Sequence, residues 1–308
     1  MQARGELVGR DAELAQLARA VERARRGSGS LLLLSGDAGV GKTRLAEAAA
    51  ASSSALVLRG AASNSAAAPY GPVTAVLRAY LRARPAGLDG CGPLHAHLAL
   101  ILPELGEPAP ASDRATIFEA IRCAFEQIAV AGPALVVLDD LQWSDEATLE
   151  LLAALVPALA DLALVVIAAY RSDGLARDHM LRWLRNELRR GGGVDELVLA
   201  PLDLAATAEL LASLLQSAPS PALVRALHDR TQGLPFFVEE LARALETSGG
   251  VRAGPHGLEL VENGAVPVPE TVRDAVLMSA SALSPAARAA AETAAVAGQS
   301  FDLALVSE

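Results

Sequence analysis

Short runs of consecutive apolar residues alternate with segments whose apolar positions recur every three or four residues. The runs at 31–34, 134–138 and 162–169 are bounded by turn residues and predict strands buried on both faces. Weaker runs at 55–58 and 197–199 predict two more. Between them the spacing is helical. Leu14, Leu17, Ala18 and Val21 form one stripe; Ile117, Ile121, Ala124, Phe125 and Ile128 form another; Leu149, Leu152, Leu155 and Val156 form a third. Helices are also predicted over 42–50 and 73–81. Asp11 is the expected cap of the first helix, and Ser144 or Asp145 of the helix that carries Leu149. Strands alternating with helices predict an α/β fold, a parallel sheet with helices on its two faces.

After Leu202 the pattern changes. Leu210, Leu211 and Leu214, then Leu223, Val224 and Leu227, then 236–245 read as helices with no strand between them. The glycines at 191–193 predict a flexible break, and 249–269 a loop or hairpin. Val272, Val276 and Leu277 open another helix; Ser284 and Pro285 start the next. The expected organisation is an α/β domain at 1–200, a helical domain at 201–250 and an incomplete further segment at 266–308. The chain stops in mid-pattern at 301–308, so a fragment of a longer protein is expected.

Composition narrows the class. A chain of 308 residues has room for one large domain and one or two small ones. The 52% hydrophobic fraction contains much alanine and only 3% aromatic residues, which predicts helices packed through small side chains rather than disorder. The most apolar stretch, 158–169, contains Asp161 and is too short to cross a bilayer. No apolar signal core follows Met1, and a cytoplasmic location is expected. Cys91 and Cys123 have no Cys-x-x-Cys spacing and read as idle thiols; the five histidines show no metal spacing. The net charge of −10 leaves no basic footprint of the kind nucleic acid requires. The densest basic stretch, Arg182, Arg185, Arg189 and Arg190, is interrupted by Glu187 and reads as a solvated helix face.

One motif carries specific chemistry. Gly36, Asp37, Ala38, Gly39, Val40, Gly41, Lys42 and Thr43 match G-x-x-x-x-G-K-[ST], with a predicted strand before and a predicted helix after. Glycines let the backbone turn tightly and aim its N–H groups inward, and the helix N-terminus adds partial positive charge. Lys42 is expected on the β- and γ-phosphates of ATP or ADP, and the Thr43 hydroxyl on Mg2+. Arg44 follows in the same stretch and joins the expected nucleotide-binding set. The apolar run at 135–138 then delivers Asp139 and Asp140 to a strand end, where ligands gather in parallel sheets. Asp139 is expected to hold Mg2+, directly or through a water, and Asp140 to polarise an attacking water. Arg171, after the third buried run, is either a cation that senses the γ-phosphate or an ordinary surface arginine. Trp143 stacks on a base or packs its loop against the next helix.

These stretches also carry a resemblance. The segment from Leu7 through Gly9, Arg10 and Asp11 to Leu14, followed by the P-loop, resembles the start of an AAA-like ATPase of the signal-transduction (STAND) type. The segments Val136 to Asp145 and Ala169 to Asp173 are similar to that group's second motif and sensor-arginine segment. Thr231 to Leu241 resembles its Gly-x-Pro helical segment, and Val268 to Arg273 the entry to a winged-helix region. Together they cover nearly the whole chain in the family's order, most like the ATPase region of large LuxR-type bacterial transcriptional regulators. The resemblance implies that Gly9 and Arg10 lie near the adenine or ribose, that Pro235 packs on the adenine, and that Arg171 couples phosphate state to the lid. It further implies an ATP-bound form that self-associates, slow hydrolysis that resets it, and no membrane partner. DNA would be reached only through C-terminal domains that these residues do not contain.

The expected function is therefore a regulatory ATPase switch in a signalling or transcription regulator. The alternatives are a motor-like AAA ATPase acting on DNA and a non-catalytic nucleotide-binding scaffold. The intact set of Lys42, Thr43, Asp139 and Asp140 weighs against the scaffold, and the lack of a basic face against the motor.

Overall fold

Leu31, Leu32, Leu33 and Leu34 are at most 1% exposed, as a strand covered on both faces requires, and burying each contributes about 2 kcal/mol relative to exposure. In the computed structural model they form the middle of β1 (Ser30–Gly36). The model describes residues 7–63, 69–173, 175, 178–191, 194–261, 269–281 and 283–297. Two units are distinguished, Leu7–Ala200 and one built on Pro201–Glu308.

In the first unit the order is α1 (Asp11–Arg25), β1, α2 (Lys42–Ser52), β2 (Leu56–Ala61), α3 (Gly71–Ala83), α4 (His95–Leu98), α5 (Arg114–Val130), β3 (Ala134–Asp139), α6 (Glu146–Leu159), β4 (Leu164–Arg171), α7 (Met180–Gly191) and β5 (Val194–Leu199). The five strands are parallel, in the order β2-β3-β4-β1-β5. Leu33 pairs with Ala168 on one side and Glu196 on the other, and Gly36 with Arg171 and Leu199. Side chains alternate across the sheet with period two. Leu31, Leu33, Val136, Leu138, Val166 and Ala168 join a core with α3, α5, α6 and α7. The intervening Leu32, Leu34, Leu135, Val137, Val165 and Ile167 are equally buried, and α1 and α2 pack on the strands as well. The expected α/β architecture is the one observed.

Helix starts follow local chemistry, with one correction. Asp113 and Asp145 cap α5 and α6, accepting from Thr116 N at 2.8 Å and Thr148 N at 3.0 Å. Asp11 does not cap α1. It is the first helical residue, Arg10 takes the cap position, and no side chain caps that end; Asp11 stands in the first turn, where its charge favours the positive end of the helix without capping it.

The second unit contains α8 (Leu204–Leu215), α9 (Pro221–Thr231), α10 (Pro235–Ser248), a hairpin of β6 (Val251–Gly254) and β7 (Gly257–Leu260), α11 (Glu270–Ser281) and α12 (Pro285–Ala297). Asp203 and Ser220 cap α8 and α9. The hairpin is tied to the turn before α9, with Leu258 N donating to Ala218 O at 2.8 Å and Ser220 N to Leu258 O at 2.9 Å. Of the segment expected at 266–308, α11 and α12 are described; Val268 and 298–308 lie outside the described residues, as do Gly192 and Gly193 of the expected break.

Candidate functional site

The loop at 36–43 leaves the carboxyl end of β1 and enters α2 at Lys42. Gly41 sits before that helix with φ 101°, a left-handed conformation that costs any other residue strain. No side chain caps α2, so the amides of its first turn face the loop as donors for an anion. Lys42 is 8% exposed. Its Nζ donates to the carbonyls of Gly36 and Asp37, both at 2.8 Å, which folds the side chain back over the loop. Burial lowers the ammonium pKa; Asp173, then Asp139 and Asp140, oppose that shift, and Arg171 adds to it.

The sheet order brings the second carboxylate pair to the same edge. β4 lies between β1 and β3, so the ends of all three strands surround the loop. Thr43 Oγ1 donates to Asp139 Oδ2 at 2.6 Å, joining residues 96 apart in sequence. Asp139 Oδ1 accepts from Asp140 N at 2.9 Å, which holds the carboxylate toward Thr43. Asp140 adopts a left-handed backbone, φ 55° and ψ 36°, and starts the tight turn Leu141–Trp143. Arg171, at the end of β4, brings Nε to 3.8 Å from Asp140 Oδ1, both side chains nearly half exposed.

Other residues that sequence reasoning did not single out complete the arrangement. Gln142 is 8% exposed; its Nε2 donates to Asp140 Oδ1 at 2.8 Å and its Oε1 accepts from Arg171 N at 3.0 Å. His179 accepts at Nδ1 from Leu181 N (3.1 Å), which leaves the proton on Nε2 to donate to Gln142 O (3.1 Å). The turn after β4 also holds the P-loop: Ala38 N donates to Asp173 Oδ1 at 3.1 Å, Ser172 Oγ to Asp37 Oδ1 at 3.2 Å, and Ser172 N to Gly36 O at 3.1 Å. The only sequence signal for Gln142 is an amide side chain between two large apolar residues, Leu141 and Trp143.

The remaining expected residues are placed as follows. Arg10 is buried, 6% exposed, and donates to Val40 O at 3.3 Å and Ala200 O at 2.6 Å while pairing with Glu13 at 3.1 Å. Beside it, Gly9 is exposed with φ 63°. Gly39 is exposed and Val40 fully buried; Arg44 is half-buried on the first turn of α2. Pro235 is the first residue of α10, in the second unit. Trp143 is 43% exposed. Cys91 and Cys123 are free, and burial together with the neighbouring Cys123 thiol pushes the Cys91 pKa up, away from reactivity. On α7, Arg185 and Arg189 pair with Glu196 of β5.

The donor set fits magnesium. The Thr43 hydroxyl and the Asp139 carboxylate, brought together by their hydrogen bond, are the hard oxygen donors that Mg2+ prefers. Among the described residues no cluster of three or more metal-ligating side chains exists; Mg2+ typically takes one or two protein oxygens and completes its shell with phosphate oxygens and water. No helix among the described residues is long and apolar enough to cross a membrane.

No curated protein matches the sequence. By chain path the protein is similar to the Walker-type ATPase of Pyrococcus abyssi, with 16% identity and a TM-score of 0.48 over 80% of this chain and 71% of that one. It is also similar to a STAND protein with a tetratricopeptide repeat sensor from Pyrococcus horikoshii, with 16% identity and a TM-score of 0.48, covering 93% of this chain but only 34% of that one. A third likeness is to Cdc6p of Pyrobaculum aerophilum, with 15% identity and a TM-score of 0.49, over 80% of this chain and 65% of that one. The model of the AAA ATPase domain matches residues 6–167, more than half the chain and all of β1 to β3 with the loop between Gly36 and Thr43. The chain therefore belongs to the AAA ATPase domain family.

Proposed function

We propose that this chain binds ATP and ADP with Mg2+, hydrolyses ATP slowly, and serves as a nucleotide-dependent switch in a signalling or transcription regulator. The observation that carries the reading is the meeting of Thr43 and Asp139 at 2.6 Å beside the inward-folded Lys42. Lys42 Nζ lies over the loop, held by the Gly36 and Asp37 carbonyls, and exchanges those partners for β- and γ-phosphate oxygens when nucleotide binds. Magnesium held by Thr43 and Asp139 would neutralise charge that develops on the phosphoryl oxygens. Asp140 orients and deprotonates the attacking water. Arg171 stands between two partners, Asp140 and the γ-phosphate, and its choice reports which nucleotide is bound. Gly9 and Arg10 flank the base from the chain's start; the adenine contact expected of Pro235 rests on the sequence resemblance alone. Self-association in the ATP form and a role like that of LuxR-type regulators follow from the sequence resemblance.

The test is to purify the chain under native conditions, release any bound nucleotide and identify it beside a Lys42→Ala control. Stoichiometric ADP in the parent and none in the variant is the expected result. Equal nucleotide content in both, or wild-type turnover by Lys42→Ala, would overturn the site assignment. Fast turnover stimulated by DNA would replace the switch with a motor.

A further inference from the structure

We propose that Gln142 is the positioning residue of the reaction: its side-chain amide fixes which oxygen of Asp140 faces the water, and ties that carboxylate to the end of β4. This rests on the reading of Asp140 as the water-activating group.

The geometry is specific. An amide side chain has one donor end and one acceptor end. Asp140 Oδ1 requires a donor and the Arg171 N–H requires an acceptor. Only one orientation of Gln142 satisfies both, and that is the one present, at 2.8 and 3.0 Å. The Gln142 side chain is nearly buried, so its amide has few water partners to exchange for these two, although Asp140 itself is 42% exposed. Its backbone is anchored as well, through Gln142 O and His179 Nε2 at 3.1 Å. Oδ1 of Asp140 is thereby occupied by Gln142, with Arg171 Nε also nearest to it. Among the described residues no hydrogen bond to Oδ2 is formed, so Oδ2 is the oxygen left for water. The left-handed backbone at Asp140 makes this possible: it turns the chain so that the side chain two residues later folds back over the carboxylate.

The same amide links two events. A movement of Arg171, on the strand that borders the P-loop, pulls directly on the group that holds Asp140. Gln142 therefore couples the cation at the end of β4 to the orientation of the base, through two hydrogen bonds and without touching nucleotide.

Three substitutions, and one double variant that combines two of them, separate the contributions. Q142M keeps the side-chain length and removes both bonds. Q142E keeps the acceptor for Arg171 N–H but sets a carboxylate against Asp140. D140N removes the base. Steady-state turnover, ATP affinity by fluorescent-nucleotide titration, thermal unfolding and amide exchange at Arg171 are measured on the intact chain. Q142M and Q142E are expected to lower kcat by about tenfold or more with ATP affinity within about twofold, and D140N/Q142M to be no slower than D140N, because the two residues act as one unit. Arg171 N–H is expected to be protected in the parent and in Q142E, and to exchange faster in Q142M. If D140N is impaired while Q142M turns over normally, or if the two losses multiply, the positioning role is overturned and the base stands. If D140N turns over normally, the base reading itself falls. Equal exchange at Arg171 in the parent and Q142M overturns the bridge whether or not the chain hydrolyses ATP.

Discussion

At the carboxyl end of the sheet, Lys42, Thr43, Asp139, Asp140 and Arg171 converge from β1, β3 and β4. At the opposite end, the starts of β1 and β5 border a cavity of about 740 Å³, lined by Val156, Pro157, Leu188 and Val194 and by the ion pair of Arg23 with Asp195 at 2.5 Å. The residues around this space bring no comparable chemistry together. Strand direction explains why. In a parallel sheet every strand delivers its last residue, and the loop after it, to the same edge, where the next helix begins with free N–H groups. The far cavity is ringed instead by the closing turns of α1, α6 and α7. Their carbonyl ends carry partial negative charge and repel a phosphate. The polarity of the backbone around each end of the sheet decides what that end can hold.

The sharpest way to break this contrast is Lys42→Ala, expected to weaken ATP binding by roughly 100-fold, about 2.7 kcal/mol, in calorimetric titration. Binding at parental strength would remove the carboxyl edge as the site. Next is Gly29→Ala at the far cavity. A methyl there would lie 2.2 Å from Leu164 O and 2.6 Å from the carbonyls of Leu159 and Leu162. Overpacking of that kind costs about 2 kcal/mol, or roughly 4–8 °C in melting temperature, while ATP affinity of the folded variant stays within about twofold. A large fall in affinity without loss of stability would tie the two ends together. Asp139→Asn should reduce the enhancement of ATP binding by Mg2+ about tenfold, close to 1.4 kcal/mol, with binding in EDTA little changed. Magnesium dependence equal to the parent's would remove Asp139 from the ion. The smallest effect is expected of Val156→Trp, which narrows the far cavity; a change in ATP affinity beyond about twofold would give that cavity a role in nucleotide binding.

The two units also differ in how far a sequence speaks for them. Residues 36–43 are consecutive, and their spacing declares a loop between a strand and a helix, which is where β1 and α2 stand. The leucines at 31–34 and the run at 134–138 declare buried strands because nothing polar interrupts them. The helices after Pro201 were readable as helices, whereas the hairpin at Val251–Leu260 was not separable from a loop, since its short strands are half-buried and its turn is held by distant partners at Ala218 and Ser220. Asp11 has the residue type of a cap but not the position, because where a helix begins is settled by backbone angles at Arg10.

Fold class, the order of elements and the chemistry of the P-loop are properties of local pattern, and the sequence determines them alone. Which strands become neighbours is a matter of long-range packing. Placing β4 between β1 and β3 sets Thr43 against Asp139 across 96 residues, and Gln142 against Arg171 across 29. No periodicity encodes such separations. They arise because burial of the apolar strands fixes the strand order; that order sets Thr43 beside Asp139 and gives the buried amide of Gln142 its partners.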